Sequence, residues 1–388
     1  MNVQTKDTID VNYSTYTNDF GCAEYYLVCK TSDELTYEDA LDDLYDAYME
    51  SVAEIGLDET TLQFTRIYVS DISNEYRRLR SSRLYKYLCN GAVSVIEQSP
   101  IFGPVSILSY HMKSEFSFLN KSVCTSHNGN VLLTEGLNYR LLWSAGNISG
   151  GNNSAVQTDG IFSKLDMMLN RSAMSVRENT IRTWIYVRDV DNNYQGMVDS
   201  RKDYFSKIGL TDKTRYIAST GIEGKMADTK TLVTMDSLSI GNIRESQIVR
   251  MEALSHMSST IQYGVTFERG TQIRFGDRSH LHISGTASID STGAIVHEYD
   301  IRQQTMRTID NIEALLSKHN ASLDCMMYLL IYLRNRKHYQ CIGDILTSRI
   351  PQHVHCIPVE GAVCRPGWLI EMEGVGITND STEFPAFM

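Results

Sequence analysis

The sequence predicts an α+β fold made of three copies of one strand–helix unit. Two observations predict it. Three segments read alike: LQFTRIYVSDISNEYRRLRSSRLYKYL from Leu62, IRTWIYVRDVDNNYQGMVDSRKDYFSKI from Ile181, and MMYLLIYLRNRKHYQCIGDILTSRI from Met326. Each is preceded by a further amphipathic helix, and no Pro-, Gly- or Ser-rich linker separates the copies.

Each copy opens on a β-branched and aromatic run that reads as a strand. The runs share Ile67-Tyr68-Val69, Ile185-Tyr186-Val187 and Ile331-Tyr332-Leu333. A polar turn and a helix-period segment follow; in the third copy Tyr339, Ile342, Ile345 and Leu346 share a face. The upstream helices carry apolar stripes at Leu41, Leu44, Tyr48, Val52 and Ile55, at Ile161, Leu165, Met168 and Leu169, and at Met306, Ile309, Ile312, Leu315 and Leu316. Strand pairs precede the second and third of these helices, over 131–148 and 263–289. One more strand follows each second helix, clearest in the last, where Trp368, Ile370 and Met372 alternate with Leu369, Glu371, Glu373 and Val375. The predicted unit is β-β-α-β-α-β, with helices on one sheet face, so the other face needs cover. Three such sheets cover one another about a central axis, an intrachain pseudo-trimer. The expected divisions are 1–125, 126–245 and 246–388, with a partly helical connector over 241–260.

Composition narrows the function. The chain has 388 residues, 42% hydrophobic and 21% charged, an ordinary globular balance. It has no apolar run of membrane-spanning length, and the polar MNVQTKDTID start does not resemble a signal peptide. A net charge of −11 argues against a nucleic-acid partner. Eight cysteines, none in a CxxC pair, fit reduced thiols and a cytoplasmic location.

Several residues invite chemistry. Gly221–Lys225 (GIEGK) lacks P-loop spacing. His280 with His282 and His353 with His355 are i,i+2 pairs that no carboxylate or cysteine cluster accompanies, and Cys356 beside His355 does not change this, so no metal site is assigned. Glu371 and Glu373 form either a solvated stripe or, if that face is buried, a pair with at least one raised pKa. Cys364 alone reads as a small buried hydrophobe.

Taken in order, Tyr139–Trp143 (YRLLW), Arg182–Tyr186 (RTWIY), Ser219–Ile222 (STGI), Phe267–Thr271 (FERGT), Ile283–Ile289 (ISGTASI), Gln304–Thr308 (QTMRT) and Val363–Glu371 (VCRPGWLIE) resemble the chorismatases over residues 130–377. The strand–helix order also resembles the wider YjgF-like (Rid) family of imine deaminases. This resemblance implies three YjgF-like (chorismate-mutase-like) units and a cofactor-independent release of pyruvate from chorismate. Glu371 is then the acid/base, and Cys364 steers the product toward 3-hydroxybenzoate. Chorismate is a dianion, so the resemblance asks for arginine clamps, with Arg140, Arg182, Arg269 and Arg365 as candidates. Backbone amides around Ser219, Thr220 and Gly221 and around Gly285 are candidate anion or hydroxyl donors.

The imine deaminases carry a substrate-binding arginine on the strand before the final acidic strand. Val354 stands roughly there, which weakens a deaminase reading. Met235-Asp236-Ser237 occupies the second copy's place for Ile370-Glu371-Met372, and VSILSYHM in the first offers no acid. One site is therefore expected, built by the third copy with help from the second. An imine or enamine deaminase and a non-catalytic binder of an aromatic acid stay open as alternatives. The chain is expected to be a monomeric pseudo-trimer or a small homo-oligomer.

Overall fold

Three six-stranded sheets with one shared topology make up the computed structural model, which describes residues 2–6, 8–115, 119–126, 129–260 and 265–388. The first unit contains β1 (Asn2–Lys6), β2 (Ile9–Thr17), β3 (Cys22–Thr31), α1 (Tyr37–Glu54), β4 (Leu62–Val69), α2 (Ile72–Ser81), α3 (Arg83–Leu88), β5 (Ala92–Glu97) and β6 (Val105–Ser114). The second contains β7 (Asn120–Ser126), β8 (Gly129–Glu135), β9 (Arg140–Ile148), α4 (Ser154–Asn170), α5 (Val176–Asn179), β10 (Thr180–Val187), α6 (Val190–Lys207), β11 (Ala218–Glu223) and β12 (Val233–Gly241). The third contains β13 (Ile248–Met251), β14 (Gly270–Arg274), β15 (Arg278–Ala287), α7 (Ile301–Ser317), β16 (Met326–Leu333), α8 (Tyr339–Arg349), β17 (His355–Glu360) and β18 (Ile370–Asn379).

The strand orders are β1-β2-β3-β6-β4-β5, β7-β8-β9-β12-β10-β11 and β13-β14-β15-β18-β16-β17. In each, the Ile-Tyr-Val/Leu strand pairs parallel with the strand that follows the second helix, and the unit's last strand inserts antiparallel at the centre. The α+β pseudo-trimer expected from the repeats is the fold observed. Each unit is nevertheless fuller than β-β-α-β-α-β, with an additional strand at either edge of its sheet. The first strands are short, NVQTK and NKSVCTS mostly polar and IVRM only four residues long, so they carry no period-2 signal of their own. β7 already pairs in the second sheet, so the first division falls before Asn120 rather than at 125/126. The connector over 241–260 is not helical beyond one 3₁₀ turn at Glu245–Gln247, and Ile248–Met251 pairs as an edge strand. The strand expected from Tyr263 forms only over Gly270–Arg274; Tyr263 and Gly264 lie outside the described residues.

The long helices form where their stripes dictate and start at side-chain caps. Thr36, Asn153 and Asp300 accept from the backbone N–H three residues on, at the starts of α1, α4 and α7. The opposite sheet faces meet in one core drawing on all three units, where Phe64 stacks on Trp143 and Tyr26 packs on Tyr328. Each interface is also locked by a fully buried ion pair. Arg66 meets Asp236 at 3.0 Å, Arg182 meets Glu373 at 2.6 Å, and Arg278 meets Glu24 at 2.7 Å. His280 Nε2 donates to the same Glu24 carboxylate at 2.9 Å, so that histidine belongs to the lock between the third and first units.

Candidate active site

Alternation along β18 sends Glu371 and Glu373 to the face that meets the second unit, and that face is buried: Glu371 is 6% exposed and Glu373 0%. The solvated-stripe reading therefore fails. The two carboxyls differ in company. Glu373 accepts from Arg182 at 2.6 Å, Trp184 Nε1 at 2.9 Å, the Tyr332 hydroxyl at 3.0 Å and the Thr220 hydroxyl. It is a paired structural anion. No described hydrogen bond or ion pair reaches the Glu371 side chain. Burial first, and then the neighbouring Glu373, push its pKa up to about 8, against the pull of Arg269 and Arg182.

Glu371 opens into a cavity between the second and third units. The second unit contributes Tyr194 and Arg201 from α6 and Ser219, Thr220 and Gly221 from β11. The third contributes Arg269, Gly285, Cys364, Arg365, Trp368 and Glu371. Gly285 falls at the irregular register between β15 and β18, where a side chain would overlap Glu371 Oε1. Glycine there gives the acid its place. The Cys364 thiol, beside the Tyr194 hydroxyl and Glu371, is pushed up to about 12 by burial and by the Glu371 charge. It is a neutral thiol at ordinary pH.

Arg201 supplies what sequence reading missed. It lies in the apolar stripe of α6 with Met197, Val198, Tyr204 and Phe205 and is 2% exposed. Its Nη1 donates to Ser219 Oγ at 3.3 Å and its Nε to Thr266 Oγ1 at 3.2 Å; Nη2 has no partner. Among the described residues no carboxylate pairs with it, and burial lowers its pKa. A buried guanidinium without an anion, facing a cavity, is built to receive one. Its signal in the sequence was an arginine on the largely apolar buried face of a helix. Tyr194, two turns earlier on the same helix, was missed as well, as were Phe267 and Trp368, which read as core.

Of the expected residues, Glu371, Cys364, Ser219, Thr220, Gly221, Arg269, Gly285 and Arg365 come together here. Arg269 is buried with its guanidinium over Phe267, and Arg365 is exposed at the mouth over Trp368. Two do not line the cavity. Arg140 stands at the far end of β9 opposite Gly241, and Arg182 lies behind Thr220, taken up by Glu373. The Ser219 and Gly285 amides are occupied too: Ser219 N–H donates to Ser284 Oγ and Gly285 N–H to Thr220 Oγ1, both at 2.9 Å. They stitch β11 to β15 rather than facing a ligand.

Register also corrects the comparison of copies. Asp236 lies opposite Trp184 as Glu373 lies opposite Leu330, so Asp236 is the counterpart of Glu373. Glu371, opposite Tyr332, corresponds to Thr234 opposite Tyr186 and to Ser106 opposite Tyr68. Only the interface between the second and third units carries an acid at this position.

The family model for endoribonuclease L-PSP matches residues 272–378. A RutC family protein of Pyrococcus abyssi is 31% identical over 104 residues, covering 24% of this chain and 76% of the relative. The 3-aminoacrylate deaminase RutC of Acinetobacter baylyi is 26% identical over 98 residues, with the same two coverages. Among solved structures, a chorismatase superposes with a TM-score of 0.61 over 82% of this chain and 93% of its own, at 16% identity, a likeness of fold. The chain belongs to the YjgF-like RutC family.

Proposed function

We propose that this protein cleaves chorismate to pyruvate and a hydroxybenzoate, with 3-hydroxybenzoate as the product. The observation that carries the reading is a buried carboxylic acid, Glu371, still protonated at neutral pH and facing a cavity that also holds the unpaired guanidinium of Arg201. Cleaving an enol ether needs an acid to protonate the terminal methylene carbon, and a dianion needs fixed cations. Arg201 and Arg269 hold the carboxylates, with Arg365 at the mouth. Glu371 gives its proton to the methylene, leaving an oxocarbenium ion at the ether carbon. The neighbouring ring hydroxyl then displaces pyruvate, forming an arene-oxide-like intermediate. Opening of that intermediate and loss of a ring proton beside Cys364 gives the aromatic product and restores the acid. Were water to attack the oxocarbenium ion instead, the product would be a dihydroxycyclohexadiene carboxylate. The chorismatase-like fold over most of the chain supports the reading. No helix among the described residues is long and apolar enough to cross a membrane.

A second reading rests on the deaminase relative. An enamine such as 3-aminoacrylate is also protonated at carbon, and Glu371 can serve that step. Against it, β11 presents Ser219, Thr220 and Gly221 to the cavity and no arginine. The test is incubation with chorismate, following pyruvate by a coupled assay and identifying the ring product by chromatography. Pyruvate with 3-hydroxybenzoate is expected. No pyruvate above the spontaneous background overturns the proposal, and accelerated loss of an enamine in the same preparation then selects the deaminase.

A further inference from the structure

The walls of the candidate site are carried by separate elements. Tyr194 and Arg201 come from α6 of the second unit, and Cys364 and Arg365 from the arm that leads from β17 into β18 of the third. Arg334, the residue that follows β16, lines no part of the cavity yet bonds to both walls. Its backbone N–H donates to Leu369 O at 3.0 Å, two residues before Glu371. Its Nη2 donates to Val363 O at 2.6 Å, next to Cys364. The same guanidinium meets the two oxygens of Asp191, in the first turn of α6, at 3.0 and 3.3 Å. Asp191 precedes Tyr194 by less than one helical turn, and the Tyr194 hydroxyl lies beside the Cys364 thiol. On its other side the arm is held by β11: Glu223 N–H donates to Ala362 O at 3.0 Å, and Ile222 bridges Val363.

The other units show that this arrangement is not simply what the fold does. Arg188 stands at the same position in the second unit, its N–H donating to Leu232 O at 2.9 Å as that of Arg334 does to Leu369 O. Its guanidinium, however, is spent on carbonyls of its own unit, those of Met226, Asp228 and Thr231. In the first unit the position is Ser70, after β4. Among the described residues, an arginine here reaches into another unit only at the interface that also carries Glu371. We propose that Arg334 is a positioning residue: it sets the spacing between the arm that bears Cys364 and the helix that bears Tyr194 and Arg201, without touching the ligand. Its planar fork can hold a carboxylate and a carbonyl at once, which a lysine cannot match. The consequence for turnover rests on the chorismate reading; the consequence for the setting of Cys364 does not. Misplacing a reacting geometry by about 1 Å can cost a hundredfold in rate. A partly exposed ion pair adds little to stability, so loss of Arg334 should register in the site rather than in unfolding.

The test compares Arg334→Met, Arg334→Lys and Asp191→Ala in the whole chain by two readouts. One is pyruvate release from chorismate with chromatography of the ring product. The other is alkylation of Cys364 by iodoacetamide, followed by peptide mass mapping, with the fully buried Cys29 as the reference for general loosening. In Arg334→Met, kcat should fall tenfold or more and the product should shift away from 3-hydroxybenzoate. Cys364 should alkylate at least tenfold faster relative to Cys29, with the urea midpoint near that of the wild type. Asp191→Ala frees α6 alone, so KM should rise with the product unchanged. Arg334→Lys keeps a donor for Val363 O and should behave like Asp191→Ala; these two variants carry the test if Arg334→Met does not fold. Wild-type kinetics and product with an unchanged Cys364 to Cys29 ratio overturn the proposal, and so does equal acceleration at both thiols, which would make the role one of stability. If the wild type itself releases no pyruvate, the chorismate reading has failed, and the alkylation ratio alone decides the role of Arg334.

Discussion

Replacing Glu371 by Gln separates the role of this residue in chemistry from its role in stability, with opposite signs. In the unfolded chain the carboxyl titrates at its ordinary value of 4.5; in the fold its pKa is about 8. The folded state therefore binds the proton more tightly, so ionisation costs folding free energy between those two values. Below pH 4.5 both states are protonated and the cost vanishes; it then grows by about 1.4 kcal/mol per pH unit and levels off above pH 8. Between pH 6 and pH 9 the wild type should thus lose about 3 kcal/mol relative to a variant that cannot ionise there. Gln keeps the shape and the burial. Urea unfolding of both proteins at pH 6 and pH 9 reads the difference directly: Glu371→Gln should gain on the wild type as pH rises. Its pyruvate release from chorismate should fall by at least about a hundredfold, since general acid catalysis contributes on that scale. In the wild type, turnover should decline as pH rises through 8. Equal pH dependence of stability in the two proteins would refute the buried-acid argument, and retained turnover in the variant would refute its role as the proton donor.

Gly285→Ala should leave circular dichroism unchanged but lower kcat strongly, because the new methyl occupies the place of Glu371 Oε1; unaltered kcat would show that the acid works from elsewhere. Arg201→Met should raise KM for chorismate by tenfold or more, about 1.4 kcal/mol or above, with folding stability held or increased, since a buried unpaired cation is removed. Arg182→Met should instead destabilise the fold by about 3–5 kcal/mol in urea unfolding, because Glu373 is left as a buried anion without its counter-ion. Cys364→Ala should keep pyruvate release while shifting the ring product away from 3-hydroxybenzoate on chromatography; an unchanged product would remove Cys364 from the steering role.

The repeats were legible because three strands and six helices carry strong periodicity, and hydrophobic pattern is a local property. The edge strands were not, since short polar segments such as Asn120–Ser126 become strands only through the neighbour they pair with. The same divide runs through the site. Glu371, Cys364 and Gly285 sit in motifs and could be named from them. Arg182 also sits in a motif, yet its partner Glu373 lies 191 residues away, and without that pairing it passes for a substrate clamp. Arg201 shows the converse. Nothing in its local sequence marks it beyond one cation on an apolar helix face, and only the packing of α6 beside β11 brings it to the cavity.

Joining three units in one chain frees the interfaces from being alike. In a homotrimer of such units an acid on the last strand would recur at every interface. Here two interfaces keep a buried arginine–carboxylate lock on the last strand, the third uses Arg278 and Glu24 on other strands, and the position beside the lock has diverged. At the interface between the first and second units it is Thr234, whose hydroxyl donates to the Asn147 carbonyl at 3.1 Å, and the adjacent Gly146 N–H donates to Asp236 at 2.8 Å. In the first unit the same position is Ser106, in a strand pairing that runs without the β15–β18 irregularity. A buried acid is costly to stability, as the pKa of Glu371 records, so carrying three would tax a fold that needs only one. The lock and the acid thus divide two nearby positions of one strand: Glu373 is bonded to Arg182 and holds the units together, while Glu371 is left unpaired, protonated and free to react.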